Sequence, residues 1–136
     1  MRKNIYIVWN ENNNLGIPII DEQHRGIISS INSLYYFIQS GLADEIIKPT
    51  MIVLEQYVKV HFRTEEMLLE EVGYPGIEKH KKLHSGFEKE IGALGEKLFK
   101  DRDSDMILKF LKEWWLNHIN IEDKKYAGLA RKAMGF

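Results

Sequence analysis

Residues 47–72 read IKPTMIVLEQYVKVHFRTEEMLLEEV. Alternate steps of four and three along this stretch pick out Ile47, Met51, Leu54, Val58, His61, Glu65, Leu68 and Val72. An α-helix completes a turn in 3.6 residues, so these positions form one continuous face, apolar enough to be buried. The same period recurs on both sides. Upstream it gives Ile20, His24, Ile27, Ile31, Leu34 and Ile38; downstream Ile77, His80, His84, Phe87, Ile91, Leu94 and Leu98; then Ile107, Leu111, Trp114 and His118. Four amphipathic helices follow.

Three breaks separate them: Gly41 to Asp44, Gly73-Tyr74-Pro75-Gly76, and Asp101 to Ser104, with Asp44 and Ser104 as candidate caps. Short links between long helices favour antiparallel neighbours, and the fold class expected is all-α, an up-down-up-down four-helix bundle. Residues 1–20 read as an irregular arm, polar from Asn10 to Asn14 and broken by Gly16 and Pro18, with the bundle at 21–133. One domain over 1–136 accommodates all of this. No internal repeat or low-complexity tract is present.

Composition narrows function by exclusion. Nineteen basic against twenty acidic residues leave a net charge of −1, which offers no pull toward nucleic acid or an anionic membrane. The pairs Lys81-Lys82 and Lys124-Lys125 are too short to change that. With no cysteine, neither disulfides nor thiolate ligation is available. Apolar runs such as Ile5 to Trp9 are too short for a spanning helix or signal peptide, so a cytoplasmic location is expected.

The chemistry lies where polar residues interrupt the stripes. All five histidines, His24, His61, His80, His84 and His118, fall on buried faces, and so does Glu65. A lone histidine there is ordinary; all five together are not. A buried carboxylate without a partner loses several kcal/mol of hydration, and a shared cation removes the difficulty. Counting from the breaks places the groups at one level. His24 lies 18 residues before Leu42 and His61 19 after; Glu65 lies 10 before Pro75 and His84 9 after; His84 lies 18 before Arg102 and His118 16 after. His61 and Glu65 are four apart, as are His80 and His84, so each pair shares a helix face. Asp123 is five residues beyond His118, a rotation of about 140° in a regular helix. Spacing alone makes it an exposed residue; a local π-type turn would bring it round. So many imidazoles with carboxylates exceed one tetrahedral zinc and suit two octahedral ions bridged by carboxylate. The Glu-x-x-His signature of ferritin-like di-iron proteins is absent.

Together the segments Trp9, Asp21-Glu22-Gln23-His24, His61-Phe62-Arg63-Thr64-Glu65-Glu66, Tyr74-Pro75, His80-x-x-x-His84, and Trp114-Trp115-Leu116-Asn117-His118-Ile119 with Asp123 and Tyr126 resemble the hemerythrin family in its single-domain bacterial form. The resemblance implies a non-haem di-iron centre. His80, His84 and His118 would hold one iron and His24 and His61 the other. Glu65, Asp123 and a solvent-derived oxo or hydroxo group would bridge them. It also reverses the reading of Asp123. Dioxygen would take the open position on the two-histidine iron and leave again. Where many members carry leucine, three residues before the fourth-helix histidine, this chain has Trp115. It either lines and narrows the dioxygen pocket or fills core beside Trp114.

The function expected is therefore reversible dioxygen binding for carriage, storage or delivery, without catalysis, with an oxygen-consuming enzyme as recipient. Oxygen or redox sensing through a separate partner is an alternative, since no output segment fits in this length. Di-iron oxidase or peroxidase activity is another, disfavoured by the histidine-rich, carboxylate-poor ligand set. Neither nucleic acid nor membrane is expected as a partner.

Overall fold

The computed structural model describes residues 5–135. Helix α1 spans Pro18–Gln39, α2 Asp44–Val72 and α3 Ile77–Lys100. A fourth rod is built from α4, Ser104–Trp114, a π-helical stretch, Trp115–Glu122, and α5, Asp123–Met134. The four rods form the expected bundle, each packed against the next along the chain, with α5 also against α2. Among the described residues no helix is long and apolar enough to cross a membrane.

The helix ends differ from expectation in informative ways. The first helix begins at Pro18, not after it, because proline's missing N–H and fixed φ cost nothing in a first turn. Asp44 is the first residue of α2, with Ala43 in the cap position; its carboxylate instead meets Arg102 Nη1 at 2.5 Å, joining the first and third links. Asp103, not Ser104, caps α4 by accepting from the Met106 N–H. The bundle thus runs from 18 to 134, slightly beyond the 21–133 expected. Gly73 closes α2 at φ +68°, a left-handed conformation that glycine adopts without strain.

Residues 5–17 of the arm are ordered against α1. The Asn32 side chain accepts from the Tyr6 and Ile7 N–H groups at 2.9 and 2.8 Å and donates back to the Ile7 carbonyl. Glu11–Asn13 makes one 3-10 turn within the arm. Residues 1–4 of the expected arm, and Phe136, lie outside the described residues.

Two apolar clusters divide the interior. The larger includes Ile27, Ile31, Leu54, Val58, Phe62, Phe87, Ile91, Ile107, Leu111 and Ile119; the smaller gathers Leu15, Ile17, Ile20, Leu69, Tyr126 and Ala130. Burying each of the larger side chains contributes about 1.5–3 kcal/mol. The stripes therefore supply apolar packing between the helices on both sides of the polar layer.

Candidate metal centre

His24 is fully buried on α1, and His61 and Glu65 on α2; His80 and His84 are buried on α3. His118 comes from the π-helical stretch, and Asp123, 0% exposed, opens α5. The level counting holds: all seven expected groups meet in one layer. They fall into two overlapping sets able to hold a cation, Glu65 with His80, His84 and His118, and Glu65 with His24, His61 and Asp123.

Asp123 arrives as the π-type turn requires. Its N–H donates to the His118 carbonyl, five residues back, which widens the turn and puts both side chains on one face.

The carboxylates each face both ways. Glu65 Oε1 lies 2.9 Å from His84 Nε2 and close against His80 Nε2, while Oε2 lies 3.3 Å from His61 Nε2. Asp123 Oδ1 lies 3.0 Å from His80 Nε2 and 3.2 Å from His118 Nε2, while Oδ2 lies 3.1 Å from His24 Nε2. His80, His84 and His118 thus gather on the side of Glu65 Oε1 and Asp123 Oδ1, and His24 and His61 on the side of Glu65 Oε2 and Asp123 Oδ2.

The donor set fits cations rather than internal hydrogen bonds. His118 Nε2 and both Asp123 oxygens are buried with no hydrogen-bond partner among the described residues. They approach one another without being aimed at one another, as lone pairs converging on a common point do. Octahedral ions with bonds of about 2.1 Å hold neighbouring donors about 3.0 Å apart, close to the spacings seen here.

Further residues back the ligand set. His61 Nδ1 meets Gln23 Oε1 at 2.9 Å, and His84 Nδ1 meets Glu66 Oε2 at 2.7 Å. Tyr126 donates to Glu65 Oε2 at 2.9 Å. Phe62 stacks on His84, and Trp114 lies nearly parallel to His118. Trp115, 2% exposed, sets its ring edge-on to His24 with centroids 5.9 Å apart, and Trp9 of the arm covers it. It therefore borders the two-histidine half of the layer. Gln23 and Glu66, which no expectation singled out, each adjoin an expected ligand yet lie off the periodic face of their helix.

Electrostatics follow from this crowding. Burial pushes the Glu65 carboxyl up, but His61, His80 and His84 outweigh it and hold the group well below the usual carboxylate range. Burial and the Glu65 charge push Asp123 up, and the approach of His118, His24 and His80 brings it down to about 2. Burial pushes His80 down, and the neighbouring Asp123 and Glu65 carboxylates raise it to about 10. Burial, then the same two carboxylates, drive the Tyr126 hydroxyl well above its ordinary value. Metal-free protein at pH 7 therefore keeps a proton on His80 that a cation must displace. We expect metal uptake at pH 7 to release about one proton from His80, and affinity to fall about tenfold per pH unit as pH drops from 10. Calorimetric titration in buffers of different ionisation enthalpy checks this; uptake with no proton release would contradict it. The sign for metal-free stability is separate. The His80 contribution is complete below its ordinary 6.5 and fades as pH rises through about 10. That of Asp123 is complete above 3.8 and fades as pH falls through about 2.

Fold and site define a class: a helical-bundle metal protein with a buried, histidine-rich cage for two adjacent cations. The Hemerythrin HHE cation binding domain profile matches residues 15–130. The chain is 34% identical over 122 residues to the bacteriohemerythrin of Stenotrophomonas maltophilia, covering 89% of this chain and 79% of that one. It is 32% identical over 130 residues to the bacteriohemerythrin of Pseudomonas aeruginosa, covering 95% and 84%. A crystal structure of wild-type hemerythrin superposes with a TM-score of 0.79 at 23% identity, covering 91% of this chain and 97% of that one. The chain belongs to the hemerythrin family. Hemerythrins are oxygen-binding proteins with a di-iron centre, and the cage is consistent with that cofactor.

Proposed function

We propose that this chain binds dioxygen reversibly at its di-iron centre, for carriage, storage or delivery to an oxygen-consuming enzyme, and that it is a binding protein, not an enzyme. His80, His84 and His118 would hold one iron and His24 and His61 the other, with Glu65 and Asp123 offering an oxygen to each side. The observation that carries this reading is the donor count in a dry layer: five imidazoles and only two carboxylates, each carboxylate offering one oxygen to either side. When bound, the iron pair would supply the two electrons that dioxygen binding draws on. The few anionic ligands favour the ferric state less than a carboxylate-rich set does, which suits release over oxidation.

The protein's own residues keep the site selective. His24 and His61 are fully buried, and Trp115, edge-on to His24, shields that half of the layer from water. Trp9 seals the outer face of Trp115, with the Arg25 guanidinium 4.5 Å above its ring. Tyr126 fixes Glu65 Oε2 by its hydroxyl, so the carboxylate stays set across both halves.

The test is absorbance of the reduced, iron-loaded protein exposed to oxygen and then to vacuum. Colour that appears and then reverses is expected. Irreversible bleaching would point to oxidase or peroxidase chemistry, and no colour to a structural metal. Trp115→Leu opens the wall beside His24. It is expected to change the oxygen release or autoxidation rate several-fold while leaving two irons per chain. Unchanged rates by stopped-flow would make Trp115 core filling alone.

A further inference from the structure

One imidazole in each half of the cage is held from behind, and the two holders differ in charge. On the three-histidine side the outward nitrogen of His84 meets the Glu66 carboxylate at 2.7 Å. On the two-histidine side the outward nitrogen of His61 meets the Gln23 amide oxygen at 2.9 Å. The remaining histidine of that side, His24, has its Nδ1 buried with no partner among the described residues.

The proton positions can be deduced. The Thr64 hydroxyl gives its one hydrogen to the Val60 carbonyl at 3.0 Å. Thr64 Oγ1 can then only accept from Gln23, whose nitrogen lies 3.1 Å away. The Gln23 amide is thereby oriented, its oxygen faces His61, and His61 Nδ1 must be the donor. Its Nε2 lone pair is left for the cage. Glu66 has no proton to give as a carboxylate, so His84 Nδ1 donates likewise. Both imidazoles are set in the metal-binding tautomer, one by a neutral group and one by an anion.

We propose that Gln23 and Glu66 are positioning residues that also make the two iron positions unequal: Glu66, through His84, favours Fe(III) at the three-histidine position, while the neutral Gln23 leaves the two-histidine position easier to reduce. The inference rests on the di-iron reading above. A hydrogen bond to an anion is about twice as strong as one to a neutral acceptor, and it makes the imidazole the more electron-rich ligand. Glu66 is about one-third exposed, in a groove that also holds Lys59, Arg63 and Lys81, so solvent and counter-charge moderate its effect.

The experiment uses iron-loaded full-length protein poised with redox mediators and dithionite, reading the Fe(III)/Fe(II) couple by absorbance and the mixed-valence state by electron paramagnetic resonance. Glu66→Gln keeps an acceptor for His84, so two irons per chain and the melting temperature should be retained. Its couple should shift toward Fe(II) about tenfold, or about 59 mV upward for one electron. Gln23→Glu should move the couple in the opposite direction. Glu66→Ala, which removes the acceptor, should lower iron affinity 10- to 100-fold, roughly the usual cost of losing such a partner. An unchanged potential in Glu66→Gln at full loading would overturn the inference while leaving the di-iron reading intact. Iron loss in Glu66→Gln as severe as in Glu66→Ala would overturn it too. Wild-type protein that takes up fewer than two irons would overturn the di-iron reading itself.

Discussion

Glu65→Ala is expected to empty both iron positions. Glu65 is fully buried, with one oxygen facing His80 and His84 and the other facing His61 and Tyr126. Alanine removes an anionic donor from each half at once and leaves the Tyr126 hydroxyl without its acceptor. Loss of a group that merely supports a ligand costs about 10- to 100-fold in affinity, so loss of a shared ligand should exceed that at both positions. His24→Ala is the control, because His24 faces only Asp123 Oδ2 and the two-histidine half. After reconstitution, elemental analysis should give close to no iron in Glu65→Ala and about one per chain in His24→Ala. Two irons per chain in Glu65→Ala would remove Glu65 from the ligand set.

Stripping the metal should lower the melting temperature by more than about 10 °C while leaving the chain helical. Bound metal stabilises by mass action, about 4 kcal/mol at a thousand times its dissociation constant, and a chain of this size gains about 3 °C per kcal/mol. The metal-free layer also holds buried atoms with no partner, on Asp123, His118 and His24, each a desolvation cost. The two apolar clusters lie either side and contain no ligand, so helical content should survive. Hydrogen exchange should rise first at amides near His61, His84 and His118. Equal melting temperatures and equal protection with and without iron would contradict a metal-dependent layer.

The four helices were legible because burial imposes a period, and stripes such as Ile47 to Val72 record it without knowledge of neighbours. The ligands on regular helix were legible as exceptions to that period, and counting from the breaks placed them at one level. Asp123 shows where this stops. A regular helix turns it away from His118, and only resemblance to a family reversed that reading, because the wider turn depends on hydrogen bonds that spacing does not encode. Gln23 and Glu66 were missed for a related reason. They act from beside the buried faces, where a polar residue is unremarkable. Cap positions were off by one residue at Asp44 and Ser104: Asp103 takes the Met106 N–H at the start of α4, while at α2 Ala43 holds the cap position without a side-chain bond and Asp44 turns to Arg102.

The wide turn in the fourth rod also leaves a mark that has nothing to do with ligands. Continued at 3.6 residues per turn from His118, the buried face would fall on Glu122, Lys125 and Leu129, of which the last two are exposed. Instead it resumes at Asp123, Tyr126, Ala127 and Ala130. The inward pattern is displaced by one residue, so the rod carries a phase slip of the kind a single insertion would write. Deleting one residue from 119–122 would bring Asp123 to four residues past His118, the spacing at which an ordinary α-helix aligns side chains, while keeping the later face in phase. The slip can thus be sought in other bundle sequences by the offset of their apolar residues alone, before any histidine is considered.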